Sequence, residues 1–318
     1  MKKPPQCFNR ALLPALLLTL GSCVDQISTD LPAPPKRLVV NSILTPDSVF
    51  RVQVSRVTST TDASSRLLSS AQVSLLTAGG STEVLRSQGN GLYASTNQPA
   101  SSTAYTLTVQ ANDYPTVSAT DTVPAVVPIR EAWYSFPTGT DRNHELLGTV
   151  VVRFDDPAAT ENFYEISVYQ QSYRAAQQSN GLTLDARGNA AIVAEDESEL
   201  NPKSLVFSDK LFNGRSFELR ASFLTGGYSS SSTNGQPPVL TITADINLVL
   251  RSVSRAYYQY RKSWTRHLYN QGVKDEGYGY DLTQLLFLGD PTAMYSNVGG
   301  GYGVVAGYAK QSLILPLR

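Results

Sequence analysis

From residue 36 to about 127, apolar residues recur with a period of two in short runs separated by turn-forming residues. Residues 37–44 are apolar and β-branched, and they close on the turn Thr45-Pro46-Asp47-Ser48. Phe50, Val52 and Val54 then alternate with Arg51, Gln53 and Ser55, as in a strand with one buried face. A Ser/Thr-rich stretch over residues 58–70 separates them from Val73 and Leu75. Gly79-Gly80 turns that strand into residues 83–86, and Gly89-Asn90-Gly91 turns again into residues 92–94. Tyr105, Leu107 and Val109 alternate, and residues 114–123 stop at Pro124. Short strands with turn signals at regular spacing predict a β-sandwich over residues 36–127.

A second β-rich unit is expected over residues 128–318. Val150, Val152 and Phe154 alternate up to Asp155-Asp156-Pro157, and residues 163–169 form another strand. Residues 172–201 read as a polar excursion, residues 205–207, 217–223 and 239–250 as strands, and residues 226–238 as a low-complexity loop. The period then changes. Ser252 is the expected cap of a helix over 252–271, stopped by Gly272. Val253, Ala256, Tyr257, Tyr260, Trp264 and Leu268 fall on one face, which predicts packing on a sheet. Arg251, Arg255, Lys262 and Arg266 fall on the opposite face with Tyr258 and Tyr269 beside them, which makes this the candidate partner face. The apolar run at residues 312–315 is a last strand. The expected fold is therefore all-β, two β-sandwich domains, with one long C-terminal α-helix in the second.

The first residues follow a different logic. Lys2, Lys3 and Arg10 precede an apolar run from Ala11 to Leu20, and small residues lead into Cys23. That order is a secretory signal segment, and the run is about half the ~20 residues a spanning helix needs. Leu20-Gly21-Ser22-Cys23 resembles the lipobox of bacterial lipoproteins, which implies cleavage between Ser22 and Cys23 and lipid attachment at Cys23. Several acyl chains make a stable membrane anchor. Residues 23–35 become an acylated tether, ending in the extended Leu31-Pro32-Ala33-Pro34-Pro35. Loss of residues 1–22 removes three basic and no acidic residues, leaving 23 basic against 26 acidic. That balance offers no electrostatic footprint for nucleic acid. Of the two cysteines, Cys7 leaves with the signal and Cys23 carries lipid, so no disulfide and no thiolate chemistry is expected.

Motifs for catalysis are sparse. His144 and His267 are the two histidines, and neither belongs to a His-Glu-x-x-His motif or a paired-histidine motif. The run Glu195-Asp196-Glu197-Ser198-Glu199 lacks the alternating ligands and central glycine of an EF-hand. Gly299-Gly300-Gly301-Tyr302-Gly303 lacks the Lys-Ser/Thr of a phosphate loop and reads as a tight turn between strands. Asp155, Asp156 and Asp209 sit at strand ends, where Asp commonly builds turns. No catalytic residue, metal site or cofactor is expected. The 17 tyrosines, 10 phenylalanines and two tryptophans suit binding of sugar faces or proteins instead. Asp47-Ser48-Val49 and Asp121-Thr122-Val123 resemble the Bacteroidetes O-glycosylation motif, which makes Ser48 and Thr122 candidate acceptors.

Several ordered blocks carry a family likeness. They are Cys23-Val24-Asp25 with the 37–48 strand and turn, Asn162-Phe163-Tyr164, Phe207-Ser208-Asp209 with Leu211-Phe212-Asn213-Gly214, Ser252-Val253-Ser254 with Tyr257-Tyr258-Gln259-Tyr260, and the glycine-containing block from Tyr295 to Gly303. Together they resemble the uncharacterised DUF4249 family of Bacteroidetes lipoproteins, and the first sandwich also resembles transthyretin-like and Ig-like sandwiches. The resemblance implies an outer-membrane setting near TonB-dependent receptors and no known activity. The expected function is a non-enzymatic accessory or ligand-capture component of such an uptake system. The alternatives are a structural or adhesive envelope lipoprotein and an extracytoplasmic hydrolase. The ligand is unknown. A Cys23→Ala chain should lose acyl labelling and leave the membrane fraction, as read by fractionation and metabolic labelling with a fatty acid.

Overall fold

A computed structural model describes residues 34–59, 62, 64–158, 160–171, 179–195, 203–225, 227–232, 239–270 and 292–317. Ser22 and Cys23, the acidic residues after Glu195 up to Glu199, and the tail from Gln271 to Asp290 lie outside them. The elements below belong to the unit Pro35–Arg318. In chain order they begin with β1 (Leu38–Leu44), β2 (Arg51–Arg56), β3 (Gln72–Thr77), β4 (Thr82–Val84), β5 (Arg86–Gly89), β6 (Leu92–Ala94), β7 (Thr103–Gln110) and β8 (Val117–Val123). Next come β9 (Ile129–Thr140), β10 (Leu146–Asp155), β11 (Phe163–Gln171), β12 (Ser179–Gly181), β13 (Leu184–Asp185), α1 (Ala190–Val193), β14 (Ser204–Ser208) and β15 (Ser216–Leu224). The chain continues with β16 (Tyr228–Ser231), β17 (Val239–Ile242), β18 (Ile246–Val253), α2 (Arg255–Asn270) and β19 (Tyr302–Ile314).

One nine-stranded sheet runs the length of the unit in the order β12-β11-β18-β19-β1-β2-β6-β5, with β14 also paired to β11. The sheets β4-β3-β7-β8 and β13-β15-β10-β9 have four strands each. Two cores result. One gathers Leu38, Val52, Val73, Leu107 and Val123 with Val305 and Ala309 of β19. The other gathers Val150, Phe154, Tyr164, Phe207, Leu219 and Leu250. The first core takes Val298, Val305 and Ala309 from the far end of the chain, and the second takes Val127. β19, from the far end of the chain, pairs parallel with β1 and antiparallel with β18. Both cores therefore share one sheet.

Local sequence explains this join. A Cβ on Gly303, whose φ is +111°, would stand 2.0 Å from the Val40 carbonyl oxygen. On Gly307 it would stand 2.6 Å from the Thr122 carbonyl oxygen. Side-chain-free positions let β19 lie against β1 and β8 together. The start of the glycine block is a turn, with Gly300 at φ 79° and Gly301 N donating to the Val298 carbonyl oxygen, and it leads into β19; the expected strand at 312–315 overlaps the end of this strand of 13 residues. The strand β9 was not legible, because Trp133 stands between the buried Ala132 and Tyr134 and turns the alternation into a continuous apolar run.

α2 departs from expectation in a more instructive way. Ser252 and Val253 belong to β18, and the cap is Ser254, whose Oγ accepts from Tyr257 N at 3.1 Å. Ala256 packs on Val304 and Ala306 of β19, with Tyr257 and Tyr260 half-buried beside them. Trp264, expected to be buried, is 38% exposed, whereas the side chains of Lys262 and Arg251 are only 17% and 18% exposed. The helix is rotated toward its charged side because the sheet surface beneath it is polar. On β11 and β18, Tyr164, Ile166, Leu248 and Leu250 point into the second core, so the alternate positions Glu165, Ser167 and Arg251 point outward. Burying Trp264 against that face would strand a carboxylate.

Phe154 is fully buried, with ring centroids 4.7 Å from Tyr164 and 5.4 Å from Phe217. Phe154→Ala should cost about 3–5 kcal/mol of stability. Trp264→Ala should cost about 1 kcal/mol or less. Chemical denaturation of both variants checks the contrast.

Candidate functional site

The polar side of the sheet builds its attachments to α2 from three carboxylates. Glu165, with its side chain 4% exposed, accepts at Oε2 from Arg251 Nη1 (2.8 Å) and from the Tyr257 hydroxyl (2.8 Å), and Arg261 Nε stands 3.5 Å from Oε1. Burial pushes the Tyr257 hydroxyl up, and the charge on Glu165 adds to it, so Tyr257 is held protonated and donating. Arg251 is held above the ordinary guanidinium range despite its burial, chiefly by Glu165. Its guanidinium also lies over the Tyr308 ring, 5.4 Å from the centroid. Glu161 pairs with Arg255 at the start of the helix, and Arg255 covers the Phe163 ring.

The third carboxylate, Glu195, closes one end of a cleft. α1 ends just before it, after Asn189 caps that short helix by accepting from Ala191 N at 3.0 Å. Glu195 Oε1 accepts from Ser208 N and Ser208 Oγ, both at 2.8 Å. Oε2 accepts from the Tyr258 hydroxyl at 2.5 Å and lies 3.1 Å from Lys262 Nζ. Burial alone would raise this carboxyl, but the Tyr258 hydroxyl, the Lys262 charge and the Ser208 donors outweigh it and hold it below the usual carboxylate range. The Tyr258 ring is itself packed at 4.5 Å on Phe163.

The cleft holds about 640 Å³. Its walls are the end of α1, the stretch Ser208–Leu211, the α2 face from Tyr258 to Arg266, and residues 292–295. That last segment is tied to the helix: Tyr295 N donates to Ser263 Oγ (2.9 Å), Asn270 Nδ2 donates to Thr292 Oγ1 (2.8 Å), and His267 Nδ1 lies 3.2 Å from the Thr292 carbonyl oxygen. The volume is in the range of small-molecule sites. The expected partner face is thereby divided. Tyr258, Lys262 and Arg266 line the cleft, Arg251 and Arg255 serve the sheet contact, and the side chain of Tyr269 lies outside the described residues. The sequence offered no sign of the cleft's other walls, since they come from three separate stretches outside the helix, before and after it in the chain.

Other candidates fall elsewhere. Asp155 is exposed and paired with Arg130. Asp156 and Asp209 are buried, but they tie loops together. Asp156 accepts from the Tyr164 hydroxyl and from Gly214 N (2.8 Å), and Asp209 from Asn162 N (2.8 Å). Burial, with Asp156 nearby, pushes the Asp209 carboxyl up although Asn162 donates to it. His144 lies in an exposed turn at φ 64°. Ser48 is half-buried in the turn after β1, and Thr122 is exposed on β8.

A family model described as a domain of unknown function, DUF4249, matches residues 24–314. The chain belongs to the DUF4249 family. No curated protein matches it. Among solved structures, a two-domain fibronectin type III segment of chicken tenascin is similar at 11% identity, over 70% of this chain and 89% of that one, with a TM-score of 0.18. A Salmonella alpha-2-macroglobulin point mutant is similar at 15% identity, over 70% of this chain and 14% of that one, with a TM-score of 0.23. The full-length major pilin SpaD of Corynebacterium diphtheriae is similar at 10% identity, over 69% of this chain and 61% of that one, with a TM-score of 0.18. Scores this low carry no argument about how the DUF4249 chain is built or what it does.

One more carboxylate bears on α2. Asp121 Oδ2 accepts from Gly307 N at 2.6 Å, and the Ser254 cap also donates to it. Burial pushes this carboxyl up to about 6 against those donors. A folded-state value above the unfolded one means that the folded chain holds the proton more tightly. The contribution to stability is full below about pH 4 and is lost as pH rises through about 6. Asp121→Asn should therefore shrink the loss of stability between about pH 4 and 8 by about 1–3 kcal/mol. Denaturant titrations of both chains across that range check it.

Proposed function

We propose that this DUF4249 chain is a lipoprotein held in the outer membrane through Cys23. We propose further that it is a non-enzymatic component of a TonB-dependent uptake system and captures a ligand in the α2 cleft. The cleft is the observation that carries the reading. Several of its lining groups are held by contacts among the elements around it, and such prior ordering lowers the entropic cost of binding. Glu195 holds Tyr258 and Lys262, Ser263 holds residue 295, and Asn270 holds residue 292. The lipobox-like order ending at Cys23 supports the anchor, and the resemblance to Bacteroidetes lipoproteins supports the receptor setting.

The test is affinity purification of the tagged full-length chain from detergent-solubilised membranes of its native host. A TonB-dependent receptor should be recovered with it in near-stoichiometric amount. Disruption of the gene should slow growth on the solute that the receptor imports. Recovery of the chain free of any such receptor, with growth unchanged on every solute the host imports through such receptors, would overturn the proposal.

A further inference from the structure

Among the described residues, the cleft is lined by three cations, Lys210, Lys262 and Arg266, and by one acid, Glu195. Glu195 is already engaged, with Ser208 at one oxygen and Tyr258 and Lys262 at the other. Lys262 is matched by it. Arg266 and Lys210 are exposed, and neither is ion-paired with a described residue. Arg266 stands on α2 and Lys210 just past β14. Two cations that pair with no described carboxylate and line one cleft raise the potential there, and concave walls of low dielectric focus it. Hydrogen-bonding groups accompany them in the Gln259 amide and the Tyr295 and Thr292 hydroxyls, while Leu211 and Ala293 add apolar surface.

We infer that the α2 cleft of this chain binds a small organic anion, whose carboxylate or phosphate oxygens are held between Arg266 and Lys210. The assignment rests on the ligand-capture reading above and names the chemistry of what is captured. Arg266 supplies a planar fork of donors that matches two oxygens of a carboxylate or phosphate at once, and Lys210, from a different element lining the cleft, supplies a point charge. Glu195 does not repel such a ligand strongly, because its charge is offset by Lys262 at 3.1 Å. The remaining volume takes the rest of a small solute against Leu211 and Ala293. Both cations are exposed, so the free cleft does not pay for burying them unpaired.

The experiment uses the full-length chain in detergent and follows tyrosine fluorescence and thermal midpoint during titration. The probes are inorganic phosphate for the phosphate arm, glutarate for the carboxylate arm, and maltose as a neutral solute, at constant ionic strength. Saturable binding of phosphate or glutarate is expected, and the tighter of the two names the oxyanion. Arg266→Gln and Lys210→Gln should each weaken it by roughly tenfold or more, the usual loss for a charge-assisted hydrogen bond. Arg266→Lys should retain more binding than Arg266→Gln. Glu195→Gln, judged only if its unfolding midpoint stays near that of the unaltered chain, should tighten binding by removing a negative charge from the lining and leaving Lys262 unmatched by it. Saturable maltose binding without anion binding would overturn the anion assignment and leave ligand capture standing. Anion binding that ignores both Gln variants, or no binding of either anion by a chain that unfolds cooperatively, would also overturn the assignment. Receptor co-purification reports on the capture reading independently of all these outcomes.

Discussion

A carboxylate on the outer face of a sheet, Glu165, sets the position of everything that covers that face. Its side chain is almost fully withdrawn from water, and a buried carboxylate without partners costs several kcal/mol. Arg251 from the neighbouring strand answers it first, since both residues come from paired strands in direct register. Tyr257 and Arg261 from α2 complete the set. Those two residues lie on one helical face at a spacing of four, so meeting Glu165 fixes the rotation of the helix about its own axis. Hydrophobic packing alone, through Ala256 and the two half-buried tyrosines, would leave that rotation much freer. The ion-pair set contributes little net stability by comparison with an apolar contact of the same size. Its effect is to select one docking geometry.

The same constraint explains why the strands were legible in the sequence and the helix face was not. Val52, Val54, Val73, Leu107 and Val109 alternate because each strand has one face in a core, and the structure places each of them in the first core. The period of two needs no partner information. A helix is read by the same logic only if its buried face is apolar. Here the apolar stripe through Tyr260 and Trp264 is turned partly to solvent, and the buried side includes Arg261 and Lys262. What decides this is Glu165 and Glu195, far away in the chain, whose significance depends on which strands pair. The shared sheet has the same character. Nothing local in Tyr302–Ile314 says that it pairs with residues 38–44, although Gly303 and Gly307 carry the trace of that close approach.

Docking by charge also determines what is left over. α2 carries Arg255, Arg261, Lys262 and Arg266 and not one acidic residue. Among the described residues, the acids that meet it come from elsewhere: Glu161 for Arg255, Glu165 for Arg261 and Glu195 for Lys262. These acids lie beneath and beside the first two turns, where β11 and the end of α1 run. The third turn passes beyond them, and Arg266 is on that turn, where the cleft opens. A helix attached by ion pairs at one end and free of acids along its length thus presents a cation at the other end. On the proposed anion binding, the cleft's positive character follows from the way the helix is held: Glu195 engages Lys262 in docking, and Arg266, one turn on, is left to meet the ligand.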